Sequence, residues 1–170
     1  MEELLVSEFK ENAIYRLDES SRMVAKALRD IDEIQIWKKP NGVSNSTGNL
    51  ILHLCGNITQ YAIASLGEIP DLRDRDAEFA AKNGLTKTEL LEKLERTVES
   101  AKATIKKASV EQLTRKREVQ GFNFSGIGIV MHVVEHYSYH TGQIAFWVKL
   151  LKDKDLGFYD DFDLNIKNKE

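Results

Sequence analysis

Helix breakers are scarce in this chain. Its 170 residues contain two prolines, Pro40 and Pro70, and ten glycines, so long runs are free to propagate as helix. Apolar residues recur along those runs at helical spacing. A first helix from about Leu4 to about Ile31 aligns Leu5, Phe9, Ala13, Leu17, Val24, Leu28 and Ile31 on one stripe. A loop with Trp37, Pro40 and Gly42 follows, with Trp37 and Pro40 as its anchor. Ser44, Asn45 and Ser46 can cap a second helix that ends near Gly67, just before Pro70. This helix carries Leu50, His53, Leu54, Asn57, Ile58 and Tyr61 along one side.

Residues Glu68 to Leu85 are polar and charged and read as a long connection. Thr86-Lys-Thr-Glu89 is a capping box for a third helix, with the stripe Leu90, Leu91, Leu94, Val98, Ala101 and Ile105. Ser109-Val-Glu-Gln112 is a second capping box, starting one short turn. Arg115 to Phe124 reads as irregular or as a small hairpin around Gly121. Ser125 caps a fourth helix that continues to about Lys152. Four amphipathic helices without convincing strands predict an all-α fold, a four-helix bundle. Two long connections leave room for crossovers. The expected boundaries are a bundle domain at 1–153 and a C-terminal tail at 154–170, with Phe158, Tyr159 and Phe162 as anchors.

Composition narrows the function classes. The formal net charge is −3, and Lys/Arg are interspersed with Asp/Glu, so no nucleic-acid partner is expected. No run approaches the eighteen or so apolar residues of a membrane span. Met1-Glu-Glu-Leu-Leu lacks the pattern of a signal peptide. The single cysteine, Cys55, cannot pair within the chain and suits a reducing compartment. The expectation is a cytoplasmic protein.

The chemistry concentrates in the histidines. Three of the four fall in His132-Val-Val-Glu-His136-Tyr-Ser-Tyr-His140-Thr-Gly-Gln143, on one helix, and the fourth is His53. Imidazoles four residues apart lie about 6 Å apart along the axis and can converge on one ion. Several unpaired imidazoles buried together are costly without hydrogen bonds or a metal. His132 and His140 are about 12 Å apart along the axis, too far to share an ion. The adjacent pairs are therefore His132/His136 and His136/His140. If the second and fourth helices are antiparallel with level ends, the depth of His53 matches His140. If they are parallel, it matches His132. Three imidazoles with an open position suit catalysis better than structure.

Neighbouring residues have plainer roles. Cys55, two residues after His53, points away from it and reads as a core thiol. Asn57, one turn after His53, lines the pocket or bonds across helices. Glu135 reads as surface, and Gln143 as a group that orients a ligand or water. Tyr139, Phe146 and Trp147 read as core. No separate side chain stands out as a strong general base.

The segments Gly48-Asn-Leu-Ile-Leu-His53-Leu-Cys-Gly-Asn57 and His132-Val-Val-Glu-His136-Tyr-Ser-Tyr-His140-Thr-Gly-Gln143-Ile144 resemble the DinB-like superfamily, which includes the YfiT-type proteins. Trp37-Lys-Lys-Pro40 looks like that family's segment before the second helix. The resemblance implies a four-helix bundle of the DinB-like type, often a homodimer, with a divalent metal, zinc or nickel first, held by His53, His136 and His140. His132, Gln143 and Asn57 would then stand around the ligands. It further implies a small-molecule substrate and a thiol S-transferase-like activity with a low-molecular-weight thiol cosubstrate. Metal-dependent hydrolysis and a non-catalytic metal-binding stress-response role are the alternatives. Thr141 stands where many relatives carry a basic residue before Gly-Gln.

Overall fold

The computed structural model describes residues 1–168. Helix α1 spans Glu2–Leu28. A 3-10 turn at Gln35–Trp37 leads to α2, Thr47–Ile58, which continues as a π-helical stretch over Thr59–Leu66. A short helix α3, Arg75–Ala80, precedes α4, Lys87–Lys107. Then come α5, Val110–Thr114, strands β1, Lys116–Val119, and β2, Phe122–Ser125, and finally α6, Gly126–Lys152.

The helices begin where their caps dictate. Ser46, Thr86 and Ser109 each accept a bond from the backbone N–H three residues on, and each forms a reciprocal capping box. Ser125 caps α6 by accepting from the Gly128 N–H. The hairpin forms around Gln120 and Gly121, whose φ angles of 53° and 80° make the type I′ turn that matches strand twist.

The four long helices form the expected all-α bundle. α1 packs on α4 and α6, and α2 packs on the same two, so α1 faces α2 across the core. Cross-helix contacts set the directions. His53 of α2 meets His136 and His140 of α6, whereas Asn57, further along α2, meets the earlier His132, so this pair is antiparallel. Ser21 pairs with Tyr137, and Asp30 with Lys154 just beyond α6, so α1 runs parallel to α6. Cys55 adjoins Thr97, and Gly67 adjoins Thr104, so α2 runs parallel to α4. Parallel neighbours need a connection that returns the length of the bundle, and residues 68–86 provide it. This crossover passes beside His53.

The core holds Leu17, Val24, Leu28 and Ile31 of the first stripe and Leu90, Leu94, Val98, Ala101 and Ile105 of α4. Trp37 packs against Gly48, where an added Cβ would come within 2.8 Å of the ring, and its indole N–H donates to the Leu85 carbonyl. Some expectations need correction. Leu5 is exposed, and its neighbour Val6 packs against the core instead. Tyr139 and Phe146 lie on the outer side of α6 and are also exposed. In the tail, Phe158 packs on the core and Leu156 is buried, but Tyr159 and Phe162 remain exposed.

Candidate metal centre

Two helices and the crossover build the site. The antiparallel pairing of α2 and α6 puts His53 opposite one turn of α6, and the i, i+4 spacing turns His136 and His140 toward it. The Nε2 atoms of His53 and His136 lie 2.9 Å apart, and those of His136 and His140 lie 3.1 Å apart. One ligand atom from each of the three side chains falls within 4.8 Å of the others, a group able to hold a metal ion. Nitrogen ligands at about 2.0–2.1 Å from zinc must approach one another this closely. The donor set fits a divalent ion.

The rings are tied from behind. The Nδ1–H of His140 donates to Oε1 of Gln143 at 2.7 Å, which leaves the lone pair on Nε2. On His53, Nδ1 lies 3.0 Å from Oε2 of Glu78. Phe79 packs against the His53 ring with centroids 4.8 Å apart, and Tyr139 stands edge-on to His140 at 5.0 Å.

Burial keeps the imidazoles neutral, the form that ligates. It lowers His140 against the raising effect of the Gln143 hydrogen bond, and lowers His53 against that of Glu78. His136 is pushed down to about 3, first by burial and then by the neighbouring His140 and His53.

His132 stands outside the three-donor group. Its ring stacks on Tyr61, with centroids 4.0 Å apart, and on His136 at 5.2 Å. The Asn57 Nδ2 donates to its Nε2 at 3.2 Å, a bond between helices beside the site. The π-helical stretch carries Tyr61, and its hydroxyl donates to Gln120 of the hairpin turn. Cys55 is buried on the α4 side of α2. Burial pushes its thiol up to about 11, far from a reactive thiolate. Glu135 is exposed.

Two residues escaped the reading of the sequence. Glu78 and Arg73 lie in the connection that read only as polar. Glu78 is buried, and the Arg73 side chain is 3% exposed. One signal was present: Asp74-Arg-Asp-Ala77 starts a helix, with Asp74 accepting from the Ala77 N–H.

Comparisons with known proteins agree on the fold. The family model described as "Protein of unknown function (DUF1572)" matches residues 5–159. A crystal structure of a conserved protein from Enterococcus faecalis superposes with TM-score 0.73 at 15% identity, covering 85% of this chain and 97% of that one. A DinB-like protein from Bacillus subtilis, YjoA, superposes with TM-score 0.66 at 19% identity, covering 87% of this chain and 96% of that one. At these identities the likeness establishes the fold alone. No curated protein matches the chain. Among the described residues, no helix is long and apolar enough to cross a membrane. The family match over residues 5–159 makes the chain a member of the DUF1572 family, described as a protein of unknown function.

Proposed function

We propose that this protein is a divalent-metal-dependent enzyme, with His53, His136 and His140 as ligands and thiol S-transfer as its reaction. The observation that carries the metal reading is the convergence of the His53, His136 and His140 Nε2 atoms from α2 and α6. Three-imidazole sets are typical of catalytic zinc sites, which keep a position for water or substrate. Bound there, zinc or nickel would keep its full charge and lower the pKa of a thiol or water. The chain's own residues hold the site ready. Gln143 fixes the His140 ring, and Phe79 and Tyr139 cover the flanks of His53 and His140. The thiol choice comes from the DinB-like resemblance, and its partner would be a small electrophile.

We place the working form as a homodimer. Ile127, Met131, Tyr139, Phe146 and Leu150 share one side of α6 and are exposed, which supports self-association through that helix. The reducing compartment suited to Cys55 supports a cytoplasmic setting.

The test is metal analysis of purified protein, followed by assays with a small thiol and an electrophile. Metal-dependent thiol transfer is expected. Metal-dependent cleavage of an ester or amide without thiol would move the reading to hydrolysis. Tight metal binding with neither activity would move it to a non-catalytic role.

A further inference from the structure

The crossover delivers a buried ion pair to the back of His53. Arg73 donates from Nε to Oε1 of Glu78 at 2.7 Å and from Nη2 to Oε2 at 2.8 Å, a two-pronged grip that fixes the carboxylate plane. Its remaining arm, Nη1, donates to Oε1 of Gln60 at 2.8 Å. The backbone around Glu78 is held as well. Asn49 Nδ2 donates to the carbonyls of Glu78 and Ala81, at 3.0 and 2.7 Å. A buried carboxylate is costly unless it is paired and hydrogen-bonded, and Glu78 is both.

The His53 Nδ1 faces both members of this pair. It lies 3.0 Å from Glu78 Oε2 and 3.0 Å from Arg73 Nη2. A guanidinium can only donate, and a carboxylate facing it can only accept. If Nδ1 accepted from Arg73, the ring proton would sit on Nε2 and aim at His136, and His53 could not ligate. If Nδ1–H donates to Glu78, the Nε2 lone pair faces the other imidazoles. The two neighbours therefore favour opposite tautomers.

We propose that Glu78, gripped by Arg73, is the positioning residue that sets the tautomer and orientation of His53, and that residue 56 is glycine because the pair occupies the space of its side chain. A Cβ on Gly56 would lie 1.7 Å from Glu78 Oε1, 2.6 Å from its Cδ and 2.9 Å from Arg73 Nε. Glycine is otherwise disfavoured inside a helix. The role in ligation rests on reading His53 as a metal ligand; the role in the tautomer does not.

The test uses nitrogen-15 NMR of the metal-free full-length protein, which distinguishes protonated from lone-pair nitrogens on each imidazole. Wild type should show His53 protonated at Nδ1. Glu78→Gln can donate its amide to Nδ1 and should shift His53 toward the Nε2–H form. Gly56→Ala keeps the carboxylate but displaces it, and should shift the tautomer the same way while gaining helix propensity. Arg73→Met removes the competing donor and should leave Nδ1–H in place. Zinc affinity, from chelator competition on the same samples, should fall about 10–100-fold in Glu78→Gln and Gly56→Ala. Should Glu78→Gln not fold, Gly56→Ala decides alone. An unchanged His53 tautomer in both variants, with zinc affinity within about twofold of wild type, overturns the proposal. A wild type that binds no zinc, with the tautomer shift still present in the two variants, would sink the metal reading and leave the positioning role standing.

Discussion

The rings of Tyr61 and His132 stack nearly parallel, 25° apart, with centroids 4.0 Å from each other. That stack, together with the Asn57 bond, commits His132 to the contact between α2 and α6, so the proposed site leaves ligation to His53, His136 and His140. His132→Ala should therefore keep its metal. Its zinc affinity should stay within a few-fold of wild type, while stability drops by about 1 kcal/mol from the lost stack. Chelator competition and urea denaturation measure the two. Loss of metal from this variant alone would transfer ligation to His132.

The metal-free protein should weaken as pH falls from 6.5 to 5. His53, His132, His136 and His140 are all held below their ordinary value of 6.5, by burial first. Below that value the unfolded chain binds protons that the folded chain refuses, so stability is lost on acidification, down toward about 3 for His136. The window above pH 5 precedes most carboxylate titration. Denaturation midpoints of chelator-treated protein at pH 7.5, 6 and 5 read this directly. A midpoint that holds or rises on acidification contradicts neutral burial.

Asn49 fastens the crossover to the start of α2 through the carbonyls of Glu78, Phe79 and Ala81. Asn49→Ala should cost about 1–3 kcal/mol, because buried carbonyls lose their donor and the Ser46 capping box loses its return bond. Proteolysis should then cut within residues 68–86 first. A cleavage pattern identical to wild type would show that the crossover is held by other means.

Cys55→Ser should leave any thiol-transfer activity within about twofold, since the buried thiol lies on the α4 side of α2. With cobalt in the site, an added small thiol should give the same charge-transfer band in wild type and variant. Disappearance of the band in Cys55→Ser would make this cysteine the sulfur donor.

Sedimentation at micromolar concentration should give about twice the 19.4 kDa chain mass. Phe146→Glu, on the exposed side of α6, should shift it to the monomer. A wild-type monomer, or a dimer indifferent to this change, removes α6 from the contact.

Much of this architecture is legible in the chain. The stripes of α1, α2 and α4, and the four serine and threonine caps at Ser46, Thr86, Ser109 and Ser125, are local signals that tertiary packing reinforced. The grouping of His53 with His136 and His140 follows from spacing once α2 and α6 are antiparallel. What was not legible depends on partners distant in sequence. Glu78 and Arg73 look like surface charge until the parallel packing of α2 and α4 forces the crossover past His53. Tyr139 and Phe146 mislead for the opposite reason. α6 carries apolar residues on nearly every side, so periodicity cannot tell its core face from its outer one.

Zinc binding by the single-alanine variants of the three clustered histidines tests the account most directly. Equilibrium dialysis of wild type should give one ion per chain. His53→Ala, His136→Ala and His140→Ala should each lose affinity by orders of magnitude while remaining folded by circular dichroism. Near-wild-type zinc content in any of the three, His140→Ala above all, would contradict the three-histidine site.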